Sequence, residues 1–218
     1  TAGSIIPNYA LIDEYDINIV GEYYLQITHN LMALKGQSLE DIKEVQSHPM
    51  ALLQCRDFFK NNSSITLVEE KDTAQIAKKI ADNKLKGLGA IASELACKIY
   101  DLEIIKENIQ TIKQNQTRFV ILQNIRPSEN KNINKASLKF ELDHKRGSLA
   151  TILNVLSDCK LNLTKIQSMP KIQTPWRYSF FVDVTFDIKE HYFKAKSIVE
   201  IMAKEFKVLG EYKNAKDD

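Results

Sequence analysis

Arg126-Pro127-Ser128-Glu129-Asn130-Lys131-Asn132-Ile133-Asn134 decides how the rest of the chain is read. It is polar, holds a proline and lacks any apolar period, so it reads as a linker between residues 1–125 and 135–218. The order of elements changes across it. Beyond it, Leu138–Leu142 alternates as a strand, and a helix starting at Gly147 carries Leu149, Ile152, Leu153 and Leu156. Leu163–Ile166 and Tyr178–Phe186 read as strands, Ile188–Phe206 as a helix and Val208–Tyr212 as a last strand. The resulting βαββαβ order in about 80 residues predicts an α+β, ferredoxin-like sandwich with helices on one sheet face. The other face needs cover, most simply from a second copy, which predicts a homodimer.

Before the linker, short apolar runs alternate with helical patterns. Ile17–Thr28, Ile65–Val68, Leu88–Ile91 and Thr117–Leu122 read as strands. Pro49–Phe59 reads as a helix because Leu52, Cys55 and Phe59 recur at helical intervals. Ser47, two residues before Pro49, is the expected cap. Asp72-Thr73-Ala74-Gln75 has capping-box spacing ahead of Ile76 and Ile80, and Ser93 caps a helix through Tyr100. Strands and helices in alternation imply an α/β sheet with parallel pairs.

Composition narrows the function classes. Of 218 residues, 44% are apolar, enough for real cores, yet no run approaches the roughly 20 apolar residues of a membrane helix. The formal charge is +2, with lysines scattered among acids, so no basic face for nucleic acid is expected. Cys55, Cys97 and Cys159 lie far apart in apolar helical contexts and read as buried thiols of a reducing cytosol. The four histidines, His29, His48, His144 and His191, show no ligand spacing, so no metal site is expected. With 7 glycines and no Gly-rich loop, nucleotide chemistry is disfavoured. Thr1-Ala2-Gly3-Ser4 has neither an initiator methionine nor a signal-peptide pattern and is expected to be a cut end.

Three features could carry chemistry. Ser47-His48-Pro49 opens a helix, and Gln54, two turns on, would share a face with Ser47 near a partial positive charge suited to a carboxylate. On its own this is equally a plain cap and a solvated glutamine. Thr117-Arg118-Phe119 starts a strand, with Thr117 and Phe119 on one face and Arg118 on the other. Alone, it is an ordinary β-branched strand start. Thr1 and Ser4 form a hydroxyl-rich start, either a ligand-approaching loop or a frayed end.

Taken together and in order, these stretches resemble prephenate dehydratases. Thr117-Arg118-Phe119 matches that family's T-R-F, and Ser47-His48-Pro49-Met50-Ala51-Leu52-Leu53-Gln54-Cys55 its S-H-P-x-A-L-x-Q-C. Gly21-Glu22 through Ile27, His29 and Leu31 matches G-E-x-x-x-x-I-x-H-x-L, and Gly3-Ser4 the end of E-N-S-x-x-G-S. The part beyond the linker resembles an ACT regulatory domain, with Gly147-Ser148-Leu149 for G-A-L and Gln167-Ser168-Met169-Pro170 for E-S-R-P. Gln167 and Met169 replace two charged residues there, which weakens the grip on an ammonium group.

The resemblance implies an incomplete catalytic domain of two periplasmic-binding-protein-like lobes, then the ACT domain. It implies decarboxylating dehydration of prephenate to phenylpyruvate without cofactor or metal, in the cytoplasm. Thr117 would be catalytic, with Thr1, Ser4, Ser47, Gln54, Arg118 and Phe119 at the substrate. L-Phenylalanine would be sensed by Gly147, Ser148, Leu149, Ala150, Asn162, Gln167, Ser168, Met169 and Pro170. A homodimer or homotetramer would pair partly through ACT domains, and this chain alone would be inactive. Arogenate as the substrate, a non-catalytic amino-acid sensor and an amino-acid-regulated transferase are the other readings. Trp176 could serve as an effector lid, a dimer contact or a plain loop anchor.

Overall fold

The computed structural model describes residues 5–125, 132–171 and 177–216. They form two compact units. One is Leu25–Thr117, and the other joins the segment that ends at Tyr24 to the chain from Arg118 onward. Among the described residues the chain passes between units at two peptide links, Tyr24–Leu25 and Thr117–Arg118, and most of 126–134 lies outside the described residues.

The first unit is a five-stranded mixed sheet. In chain order its strands are β2 (Asn30–Ala33), β3 (Glu44–Ser47), β4 (Thr66–Glu69), β5 (Leu88–Ala92) and β6 (Glu103–Lys106). They lie in the order β4-β3-β5-β2-β6, with β3 parallel to β4 and β5, and β2 antiparallel to β5 and β6. Both faces are covered. Leu31, Val45 and Ile91 pack with Cys55 and Phe59 on one side, and Met32 and Ala90 with Ile76, Ile80 and Cys97 on the other. A sheet buried on both faces has little polar alternation. For this reason β2, all four residues of it buried, gives no strand signal, and β3 and β6 are too short to show a period.

The helices of this unit follow their caps. Asp72 accepts from the Ala74 and Gln75 amides to start α4 (Thr73–Asn83), and left-handed Lys84, φ 49°, ends it. Ser93 accepts from the Ala96 amide to start α5 (Glu94–Ile99). The helix expected over Pro49–Phe59 is two, α2 (Pro49–Gln54) and α3 (Arg56–Lys60), broken at Cys55, whose φ/ψ of −103°/12° leave the helical region.

The second unit has the expected βαββαβ order: β8 (Lys135–Glu141), α6 (Ser148–Asp158), β9 (Asn162–Pro170), β10 (Tyr178–Thr185), α7 (Lys189–Met202) and β11 (Glu205–Tyr212). Its antiparallel sheet runs β11-β8-β10-β9. One face packs Leu138, Phe140, Val182 and Val184 on Ile152, Leu156, Tyr192 and Val199 of the helices. The opposite face is covered by the chain itself, which removes the ground for expecting a second copy there. Tyr9 and Ile12 of α1 (Ile6–Glu14) and Ile19 of β1 (Asn18–Gln26) bury Phe181, Leu209 and Tyr212. Cover on both sides leaves all seven residues of β8 buried. β1 pairs with β7 (Gln116–Gln123) in a separate two-stranded sheet. Among the described residues no helix is long and apolar enough to cross a membrane.

Gly210 of β11 shows how closely this cover fits. A Cβ there would lie 2.1 Å from the Ile19 carbonyl oxygen and 2.7 Å from the Ile19 Cβ. Backbone cannot retreat as a flexible side chain can, so Gly210→Ala should cost about 1–3 kcal/mol. Urea denaturation checks this, and an unchanged midpoint would show that β1 does not press on β11.

Candidate active site

Ser47 ends β3 with its side chain fully buried, and its Oγ donates to the Ile91 carbonyl at 3.1 Å. The helix cap is the next residue: His48 Nδ1 accepts from the Met50 amide at 3.2 Å. The expectation that Ser47 caps the helix, and shares a helical face with Gln54, is therefore corrected. The Ser-x-Pro spacing reads as a cap, but the strand runs one residue further than the spacing suggests.

Gln54 closes α2, half-buried, and its carboxamide is held on one side. Its Oε1 accepts from His29 Nε2 at 2.7 Å and from Asn115 Nδ2 at 2.9 Å, so the His29 tautomer here carries its proton on Nε2. The backbone supports both residues. The Thr111 amide donates to the Gln54 carbonyl at 2.7 Å, the Ile109 amide to the His29 carbonyl at 2.8 Å, and the His29 amide to Gln110 Oε1 at 3.0 Å. With its oxygen saturated by two donors, Gln54 keeps its amino group for a ligand acceptor. Neither His29 nor Asn115 was singled out as a site residue from sequence; His29 had a signal in the Gly21–Leu31 pattern, while Asn115 had none.

β7 alternates as its sequence predicts. Thr117 and Phe119 are exposed on one face, Phe119 at 49%, while Arg118 and Val120 are half-buried on the other. The resemblance assigns Arg118 to substrate, but its guanidinium is taken up by protein partners. Nε donates to Glu22, Nη1 to Asp183 Oδ2 at 2.5 Å and Nη2 to Tyr212 Oη at 2.7 Å. Ser137 Oγ donates to Asp183 Oδ1 at 2.6 Å, so its only proton is used and the 2.7 Å contact with Tyr212 Oη is donated by the tyrosine. Lys135 Nζ reaches both Glu22 oxygens at 2.9 Å, and Lys165 Nζ lies 3.2 Å from Asp183 and 3.6 Å from the centre of the Tyr9 ring. Every one of these residues belongs to the second unit.

The charges shift one another in the directions that hold the ions. Burial alone would raise the Asp183 carboxyl, yet Lys165, Arg118 and the Ser137 bond outweigh it and keep it below the ordinary 3.8. Burial alone would lower Arg118, but Asp183, Tyr212 and Glu22 raise it further above its usual value. Tyr212 is raised, chiefly by burial and then by Asp183. Cys55 is pushed up to about 12 by burial, against a smaller lowering by Lys113, and offers no thiolate.

The residues assigned to an effector separate into two places. Gly147, at φ 82°, caps α6, and Ser148, Leu149 and Ala150 form its first turn. Ser148 and Leu149 line a cavity of about 110 Å³ with Asp143, His144, Lys145 and Tyr178. Gln167, Ser168, Met169 and Pro170 lie along β9 and are absent from that lining; Met169 packs instead towards the Tyr9–Phe181 cluster. Asn162 begins β9 opposite Thr185. Thr1, Ser4 and Trp176 lie outside the described residues.

The mixed α/β fold is that of solved dehydratases. The crystal structure of the prephenate dehydratase from Staphylococcus aureus superposes with a TM-score of 0.83 at 26% identity, over 96% of this chain and 78% of that one. A family profile described as prephenate dehydratase matches residues 1–126, and the chain belongs to that family. Arogenate dehydratase/prephenate dehydratase 2 of Arabidopsis thaliana is 38% identical over 224 residues, which cover 96% of this chain and 58% of its own length. The prephenate dehydratase of Methanocaldococcus jannaschii is 37% identical over 83% of this chain and 66% of its own length. The chain thus spans just over half to about two thirds of these relatives.

Asp183 gives a pH test of the ion network. Because its folded pKa is depressed, its contribution is complete above about pH 4 and falls as pH drops towards the folded value. Asp183→Asn leaves buried cations without their carboxylate and should cost roughly 3–5 kcal/mol at pH 7. In denaturant titrations the gap to the native sequence should narrow below about pH 4; a gap of constant size would mean the loss is not ionic.

Proposed function

We propose that the protein carrying this chain is a cytoplasmic dehydratase that converts prephenate to phenylpyruvate, carbon dioxide and water. In this reading residues 1–125 are the later part of a two-lobed catalytic domain, 126–134 a linker and 135–218 an ACT domain that senses L-phenylalanine. The observation that carries the reading is the exposed Thr117 hydroxyl on a strand whose next residue, Arg118, is clamped by three hydrogen bonds, within a stretch that matches the dehydratase family.

The chemistry needs little from the protein. The bond from the ring to its carboxylate breaks, releasing carbon dioxide, and that electron pair completes the aromatic ring. The C–O bond breaks in turn, and the departing hydroxide leaves as water after taking a proton. Thr117 is too weak an acid to ionise near neutrality and acts as a positioned donor, whose hydrogen bond strengthens as negative charge grows on the leaving oxygen. Gln54 donates its amino group to a substrate acceptor, and Phe119 offers an apolar wall beside the ring. Ser47 supports the site from beneath through Ile91, and the family resemblance assigns Thr1 and Ser4 to the substrate.

L-Phenylalanine is the effector that the resemblance assigns to the residues of α6 and β9, and Gln167 in place of a carboxylate weakens the grip on its ammonium group. Pairing into a homodimer or homotetramer rests on the resemblance alone. Arogenate is an equal second substrate, favoured by the Arabidopsis relative, whose name carries both activities.

In the full-length protein Thr117→Ala should lower kcat by about 10²- to 10⁴-fold, with the melting temperature unchanged because the side chain is exposed. Phenylpyruvate formation from prephenate, run beside phenylalanine formation from arogenate, reads out both substrates. Activity near that of the native protein would remove Thr117 from the mechanism.

A further inference from the structure

We infer that Arg118 is a positioning residue: it fixes Thr117 through the peptide bond they share and ties that hydroxyl to all four strands of the βαββαβ sheet. The inference rests on the dehydratase reading. β7 has one pairing partner, β1, and a two-stranded sheet is marginal by itself. Backbone hydrogen bonds therefore hold Thr117 loosely, and something else must set its place. Arg118, on the opposite face of the same strand, is fixed from three directions by Glu22 of β1, Asp183 of β10 and Tyr212 of β11. A guanidinium is planar, and its donors cannot turn independently. Three bonds to one fork therefore fix both its place and its rotation, and with them the neighbouring Cα of Thr117.

The partners are themselves held. Ser137 of β8 bonds both Asp183 and Tyr212, and Lys165 of β9 lies against Asp183. Lys165 and Gln167 are alternate residues of β9, both on the half-buried side of the strand and opposite Asp183 and Phe181 of β10. A ligand that moves β9 or β10 thus moves the carboxylate on which Arg118 depends. Asp183 is the group through which the sheet reaches Thr117.

The test uses the full-length protein with prephenate and arogenate as probes. Tyr212→Phe removes one bond of the fork and keeps the ring, while Arg118→Lys keeps the charge and loses the fork. Each should lower kcat about 10- to 100-fold per folded molecule with KM within about twofold, because a misplacement near 1 Å costs that much. Tyr192→Phe is the control. It removes the 2.5 Å bond to Glu211 elsewhere in the same unit and should lower the melting temperature without changing kcat. Unchanged kcat in folded Tyr212→Phe and Arg118→Lys would overturn the inference, as would a raised KM with kcat intact, which would make Arg118 a substrate ligand. A native protein inactive on both substrates would instead overturn the dehydratase reading, and the inference with it.

Discussion

Arg118 can lie under cover only while the Glu22 and Asp183 carboxylates lie beside it, and each of them, fully buried or nearly so, needs its cations in return. A charge left alone in such a place costs several kcal/mol, so the strands that carry these residues have one acceptable arrangement. β1, β7, β8, β9, β10 and β11 each contribute one member or more. The apolar contacts of Tyr9, Ile12 and Ile19 supply affinity between the layers, while the ions supply register. A slip of one residue on β8, β10 or β11 would turn its polar side chain towards the helices and its apolar ones towards the ions.

The first unit solves a different problem. The centre of its sheet is dry on both faces, and polar groups gather where the strands stop. Ser47 ends β3, Gln54 ends α2, and Asn115 precedes β7. The carboxamide of Gln54 is the meeting point, with its oxygen taken by His29 and Asn115 so that only its amino group can face a ligand. A group fixed in that way has little freedom left to lose when its amino group is engaged.

The βαββαβ order was legible because β8 to β11 are long and their helices have regular apolar spacing. Asp72 and Ser93 marked helix starts through their own side-chain bonds. β2 and β3 left no trace, since four residues buried on both sides show no alternation, and β6 is too short to show a period. α1 was missed because Leu11 is exposed while Tyr9 and Ile12 are buried, so its pattern has no clear apolar stripe. Within the site, alternation along β7 placed Thr117 and Arg118 on opposite faces as read. The partners of Arg118 could not be read, since Glu22, Asp183 and Tyr212 lie far from it in the chain and only the folded sheet brings them near.

One consequence concerns the order in which the ribosome delivers these pieces. α1 and β1 emerge well before β11, yet they are layers of one core. Tyr9, Ile12 and Ile19 must therefore wait, unshielded, while the whole intervening unit is made. Contacts so distant in sequence close slowly, and apolar surface kept waiting invites association. Until β11 is made, the apolar side chains of α1 and β1 lack the layer that buries them.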